Sequence, residues 1–174
     1  EARLGHVEVG LDRRQRDVDD RRVEHDHELG QADEDQDQPG IDAVVARVKE
    51  RIKYSNPGIP TDPATTMGAI VSKQQFDRVM SYIDSAKSEG AQLITGGGPP
   101  ADPALKGGFY IEPTVFAVTD KNRIAREEIF GPVLGVFKWS DESKMLATVT
   151  AVEYGLTASI WANGLCTAHR AAVA

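Results

Sequence analysis

One boundary limits this 174-residue chain more than any other feature: the change in composition between Gly40 and Ile41. Residues 1–40 use only ten residue types: Glu, Ala, Arg, Leu, Gly, His, Val, Asp, Gln and Pro. They contain no Lys, Ser, Thr, Asn, Cys, Met, Ile, Phe, Tyr or Trp. They also carry 13 Asp+Glu against 6 Arg, a net charge of −7, which is the whole imbalance of the chain. Dense charge without aromatic residues cannot bury enough apolar surface to offset the ordering of a chain. No packed core is expected there.

All ten types have codons that begin with G or C. They make up about three-fifths of average residue usage, so forty in a row arises by chance on the order of once in 10⁸ to 10⁹. A GC-rich gene read out of register, or from the wrong strand, produces such a bias. The expected organisation is therefore a non-native or disordered acidic segment at 1–40 joined to a genuine chain at 41–174. The alternative is a true acidic, disordered tail.

From Ile41 onward, strand and helix patterns alternate. Ile41, Val44, Val45, Val48 and Ile52 recur at helical spacing. A loop rich in Pro, Gly and Asn follows at 54–68. Ser72 offers an N-cap with Gln75 three residues on, in the pattern of a capping box. Phe76, Val79, Met80, Ile83 and Ala86 make the apolar stripe of a second helix, which Gly90 should stop. Residues 91–98 read as a strand ending in the turn Gly96-Gly97-Gly98, and 109–118 as a strand pair or an extended segment, with Pro113 implying an edge or break. Residues 133–137 read as a buried parallel strand. Ser140 should cap a third helix closed by Gly155, residues 156–162 a further strand, and 165–174 a last helix. The fold class is α/β with a largely parallel sheet.

The densest chemistry lies in Arg126-Glu127-Glu128-Ile129-Phe130-Gly131-Pro132, just before the apolar strand. Gly131-Pro132 enforces a sharp strand entry, and loops at strand ends of open α/β sheets are common ligand sites. A carboxylate there can accept both vicinal hydroxyls of a ribose, and a phenylalanine two residues on can offer a flat face to an aromatic ring. Taken alone, the same residues also read as solvated acids and a core Phe.

The stretches GGFYIEPTVF, REEIFGPVLGVFKW, VEYGLTASIWANGL and TAHRAA, spanning 107–172, resemble the aldehyde dehydrogenase superfamily in order and spacing. Residues 56–98 resemble it too, and the resemblance covers about 41–174. It implies part of a Rossmann-like catalytic domain and NAD or NADP as cofactor. It also implies oxidation of a small-molecule aldehyde to an acid by a Cys nucleophile and a Glu base. Glu128 would bind the nicotinamide ribose and Phe130 would lie against the nicotinamide. Glu127 inherits no role and is expected simply to be exposed.

No catalytic residue can be assigned. The family's G-Q-x-C nucleophile segment should fall within 1–40, which holds no Cys. The only thiol, Cys166, matches a variable position and reads as a partly buried helix-start residue. Glu28, in HELGQ, lies where the nucleophile rather than the base should be. Gly96–Gly98 lacks a phosphate-binding context. His6, His25 and His27 have no frame to fix a metal. Trp139 and Trp161 read as packing residues. Thr150 and Gly164 stand where the family usually has Asn and Asp.

The resulting expectation is an inactive aldehyde dehydrogenase fragment, truncated at both ends. The single Cys suggests a cytoplasmic setting, and no apolar run nears the roughly 20 residues of a membrane helix. The acidic balance argues against nucleic acid. The full-length protein is expected to form a homo-oligomer. The competing class is a non-catalytic α/β interaction module with an acidic tail.

Overall fold

A computed structural model describes residues 6–7, 41–162 and 164–173 of the chain. The elements are β1 (His6–Val7), α1 (Ile41–Ile52), α2 (Lys73–Ser88), β2 (Gln92–Thr95), β3 (Thr114–Ala117), β4 (Val133–Val136), α3 (Glu142–Thr150), β5 (Ile160–Trp161) and α4 (Leu165–Ala172). Short 3₁₀ turns occupy Pro103–Leu105 and Arg123–Ala125. One compact unit covers Ile41–Gly155. A second holds Leu156–Ala174 and, from the first forty residues, β1.

Helix α2 organises the larger unit. Ser72 caps it: its hydroxyl accepts the Gln75 N–H at 3.2 Å. At the other end Gly90 takes φ +79, a conformation that costs a residue without Cβ little. The Gly90 N–H bonds the Lys87 carbonyl and the Ala91 N–H bonds the Ala86 carbonyl, closing a Schellman motif. Val79, Tyr82, Ile83 and Ala86 turn inward and pack with Ile111, Phe116, Val118, Ile124 and Ile129. Burying an aliphatic or aromatic side chain of this size contributes roughly 1.5–3 kcal/mol, so this helix face accounts for much of the unit's cohesion. Tyr82 extends the apolar stripe legible in the sequence and is only 2% exposed.

The sheet has order β2-β3-β4, with β3 central. Thr114, Val115 and Phe116 are all buried, so β3 is covered on both faces. Strand β4 runs parallel to β3, with Val133 opposite Thr114 and Val136 opposite Ala117. Strand β2 runs antiparallel to β3. The sheet of this unit is therefore mixed rather than largely parallel. The link from β2 to β3 is a turn and loop without a crossover helix, which permits an antiparallel return. Gly96 and Gly97 form that turn, and the Gly97 N–H bonds the Thr114 hydroxyl at 2.9 Å. Strand β4 is half-buried along its length and is an edge strand among the described residues.

Two further boundaries differ from expectation. Asp141, not Ser140, caps α3, accepting the Lys144 N–H at 3.1 Å. The helix ends at Thr150, well before Gly155. Thr148-Val149-Thr150 is a β-branched run of low helix propensity, and the Thr150 hydroxyl bonds back to the Leu146 carbonyl at 2.8 Å. In the second unit, only Ile160–Trp161 of residues 156–162 is strand. It pairs antiparallel with the equally short His6–Val7. Gly164 is the N-cap of α4 and offers no side-chain cap.

Candidate functional site

The segment 126–132 is tied to α2 at every turn of the helix it passes. Gln75 Nε2 donates to the carbonyls of Ile129 at 3.1 Å and Phe130 at 2.9 Å. Arg78 Nη2 donates to the Glu128 carbonyl at 3.3 Å. One turn further, the Tyr82 hydroxyl donates to Glu127 Oε2 at 2.9 Å. On the sheet side, the Thr114 N–H bonds the Pro132 carbonyl at 2.8 Å, joining the turn to β3. Gly131 is required by proximity: a Cβ there would lie 2.5 Å from Val79 Cγ2.

The two adjacent glutamates have different surroundings. Glu127 is exposed, as expected, but its carboxylate is not free. Arg123 Nε donates to both of its carboxylate oxygens at 3.0 Å, and Nη2 adds a third bond at 3.0 Å. The Arg123 guanidinium also lies 4.2 Å from the centre of the Tyr82 ring. The bonds from Arg123, then that from Tyr82, hold the Glu127 carboxyl below its ordinary pKa, while Glu127 raises that of Arg123. Glu128 is exposed, and its carboxylate has no hydrogen-bond or ion-pair partner among the described residues. Its neighbour on the other side, Ile129, is in the core. Glu128 thus stands as a free acceptor between two anchored side chains.

Phe130 is no core residue: it is 73% exposed. Its backbone sits at φ +56, the left-handed region that bulky L-residues rarely occupy. The Gln75 bond to its carbonyl and the Gly131-Pro132 turn hold it there. Backbone held in such a region at the cost of strain concentrates at ligand sites. A free carboxylate that can accept from a diol and an exposed ring two residues away are an acceptor and a flat apolar face that fit the nicotinamide-ribose end of a dinucleotide.

Gln75 and Arg78 were missed as site residues. The signal for Gln75 pointed elsewhere: its position in a capping box predicted a bond back to its own helix start, whereas its amide is used on the Phe130 turn. Cys166 is exposed at the start of α4, not partly buried. Trp161 is 62% exposed and Trp139 half-buried, so Trp161 is no packing residue. Glu28, His25 and His27 lie outside the described residues, and His6 is placed only as part of β1. Among the described residues, no group of three His, Cys, Asp or Glu side chains could hold a metal ion, and no helix is long and apolar enough to cross a membrane.

Comparison with known proteins agrees with the motif. A family model described as "Aldehyde dehydrogenase family" matches residues 37–174. Aldehyde dehydrogenase tropH of Talaromyces stipitatus is 52% identical over 134 residues, covering 74% of this chain and 26% of that protein. A betaine aldehyde dehydrogenase of Sinorhizobium fredii is 51% identical over 130 residues, with the same coverage. Among solved structures, HpcC from Thermus thermophilus superposes with TM-score 0.72 at 36% identity, covering 76% of this chain and 26% of that one. A Mycobacterium tuberculosis aldehyde dehydrogenase complexed with NAD+ superposes with TM-score 0.70 at 39% identity, covering 76% and 27%. The chain spans about a quarter of the length of these relatives, and it belongs to the aldehyde dehydrogenase family.

Proposed function

We propose that this chain supplies the nicotinamide-ribose side of an NAD+- or NADP+-binding site, in a protein whose complete form oxidises an aldehyde to a carboxylic acid. The observation that carries the reading is the division of labour between the paired glutamates: the Glu127 carboxylate is held by Arg123 and Tyr82, and that of Glu128 is free beside an exposed, strained Phe130. Glu128 would accept hydrogen bonds from the two ribose hydroxyls. The Phe130 ring would cover one face of the nicotinamide and keep water from it. Gly131 and Pro132 hold both at the entry to β4. The nicotinamide, when bound, supplies a hydride acceptor. The similarity to an aldehyde dehydrogenase and a betaine aldehyde dehydrogenase favours a small aldehyde as substrate.

The chain's own thiol is not proposed as the nucleophile. Cys166 is exposed at the start of α4, at a position that the family resemblance marks as variable. Assembly of the full-length protein into a homo-oligomer, which the family resemblance implies, is part of the same proposal. A single Cys in 174 residues suits a reducing, cytoplasmic setting.

Titration with nicotinamide mononucleotide, followed by NMR of the backbone amides, tests the binding site. Shifts are expected at Glu128–Gly131, and Glu128→Gln should weaken them. Shifts confined to other segments, or untouched by Glu128→Gln, would reject the assignment.

A further inference from the structure

We propose that Tyr82, Arg123 and Glu127 form a clamp whose role is to position Glu128 for the ribose; the proposal rests on the reading of Glu128 given above. The clamp joins three elements. Tyr82 comes from the third turn of α2, Arg123 from the 3₁₀ turn after β3, and Glu127 from the segment between that turn and β4. The Tyr82 ring is buried at 2% exposure, so the position of its hydroxyl is set by the core. That hydroxyl fixes one carboxylate oxygen of Glu127, at 2.9 Å. The bidentate Arg123 fixes the plane of the same carboxylate. Arg123 in turn is held by its own backbone N–H, which donates to Glu89 Oε2 at 2.8 Å at the C-terminal end of α2.

The arrangement is more than a stabilising ion pair. The carboxylate and guanidinium side chains of Glu127 and Arg123 are each 42% exposed, and exposed pairs of this kind contribute little to stability. What the pair does have is direction. With Glu127 held toward α2 and Ile129 sunk in the core, the residue between them has one way out. Arg78, donating to the Glu128 carbonyl, fixes the same peptide from its backbone side. A free carboxylate on a clamped backbone is preorganised, and a ligand that meets it loses less affinity to ordering. Glu127, Tyr82 and Arg123 act through Glu128 and touch no ligand themselves; they are positioning residues.

Three substitutions separate positioning from folding. Tyr82→Phe removes one hydroxyl and keeps the ring in the core. Glu127→Gln keeps an acceptor and removes the charge. Glu128→Gln changes the free acceptor itself. Each chain is titrated with nicotinamide mononucleotide, and its thermal midpoint is recorded. The expected result is an affinity lowered roughly two- to tenfold by Tyr82→Phe and by Glu127→Gln, the range for one lost hydrogen bond, with the thermal midpoint little changed. If Glu128→Gln weakens binding while Tyr82→Phe and Glu127→Gln bind as the wild type does, the clamp is overturned and the ribose reading stands. If Glu128→Gln has no effect, or the wild-type chain does not bind, the ribose reading falls and the clamp with it.

Discussion

Gly131 shows how a single residue joins the core to the site. Its Cα faces Val79 on α2 with no room for a further atom: a Cβ would meet Cγ2 at 2.5 Å and Cγ1 at 3.0 Å, but Cβ only at 3.4 Å. Gly131→Ala should therefore destabilise the chain by about 1–3 kcal/mol through overpacking. Because the obstruction is two methyl groups, adding Val79→Ala should recover part of the loss. The two changes should then show a favourable coupling in a double-mutant cycle measured by urea unfolding. Strictly additive losses would mean that the glycine is needed for another reason. The motif that holds Glu128 and Phe130 stands out in the sequence. Its mechanics do not, because the partners lie far along the chain. Nothing local distinguishes Glu127 from Glu128; only the arrival of Tyr82 and Arg123 does. Gln75 was misjudged for the same reason: at a helix start, the nearest orphan N–H is the obvious partner, and two carbonyls more than fifty residues away are invisible to local pattern.

At the scale of elements, the C-terminal end of α2 and the 3₁₀ turn at Arg123–Ala125 are joined through one carboxylate. Glu89 accepts from the Ser85 hydroxyl, from the Arg123 N–H at 2.8 Å and from Asn122 Nδ2 at 3.4 Å. The Ser85 bond first, then the Arg123 N–H, hold its carboxyl below the ordinary value. A carboxyl whose pKa is depressed by folding lends stability above its unfolded value, and that contribution is lost as pH falls through the folded value. The urea midpoint should therefore fall as pH drops below the ordinary carboxylate range, and Glu89→Gln should flatten that slope; an unchanged slope would remove Glu89 from the account. Helices α1 and α2 were readable because the apolar stripe and, in α2, both end signals agree. Helix α3 was less so. Ser140 and Asp141 are both good caps, and the β-branched stretch that ends the helix leaves no glycine as a sign. The antiparallel pairing of β2 was hidden because alternation along a strand does not reveal the direction of its neighbour.

For the molecule as a whole, the division near Ile41 is the strongest sequence feature, and the family match begins close to it, at residue 37. The chain's one thiol, Cys166, stands at a position that the family resemblance marks as variable, and no G-Q-x-C segment occurs in the chain. The purified 174-residue chain should accordingly show no aldehyde-dependent formation of NADH, measured by absorbance with a small aldehyde and either cofactor. Turnover that Cys166→Ser abolishes would overturn this and make the exposed thiol catalytic.

The bonds from α2 to the turn at 127–130 also set a timetable. They join residues 45 to 55 apart in sequence, and between them the chain must complete β2, the loop after it and β3. Loop-closure entropy is spent before any of these bonds is gained. Helix α2 can nucleate from its own caps, but the Phe130 turn acquires its shape only when the ends of that long segment meet. The part of the chain that would hold the cofactor is thus among the last to become ordered, and it is ready to bind only after the rest of the unit has folded.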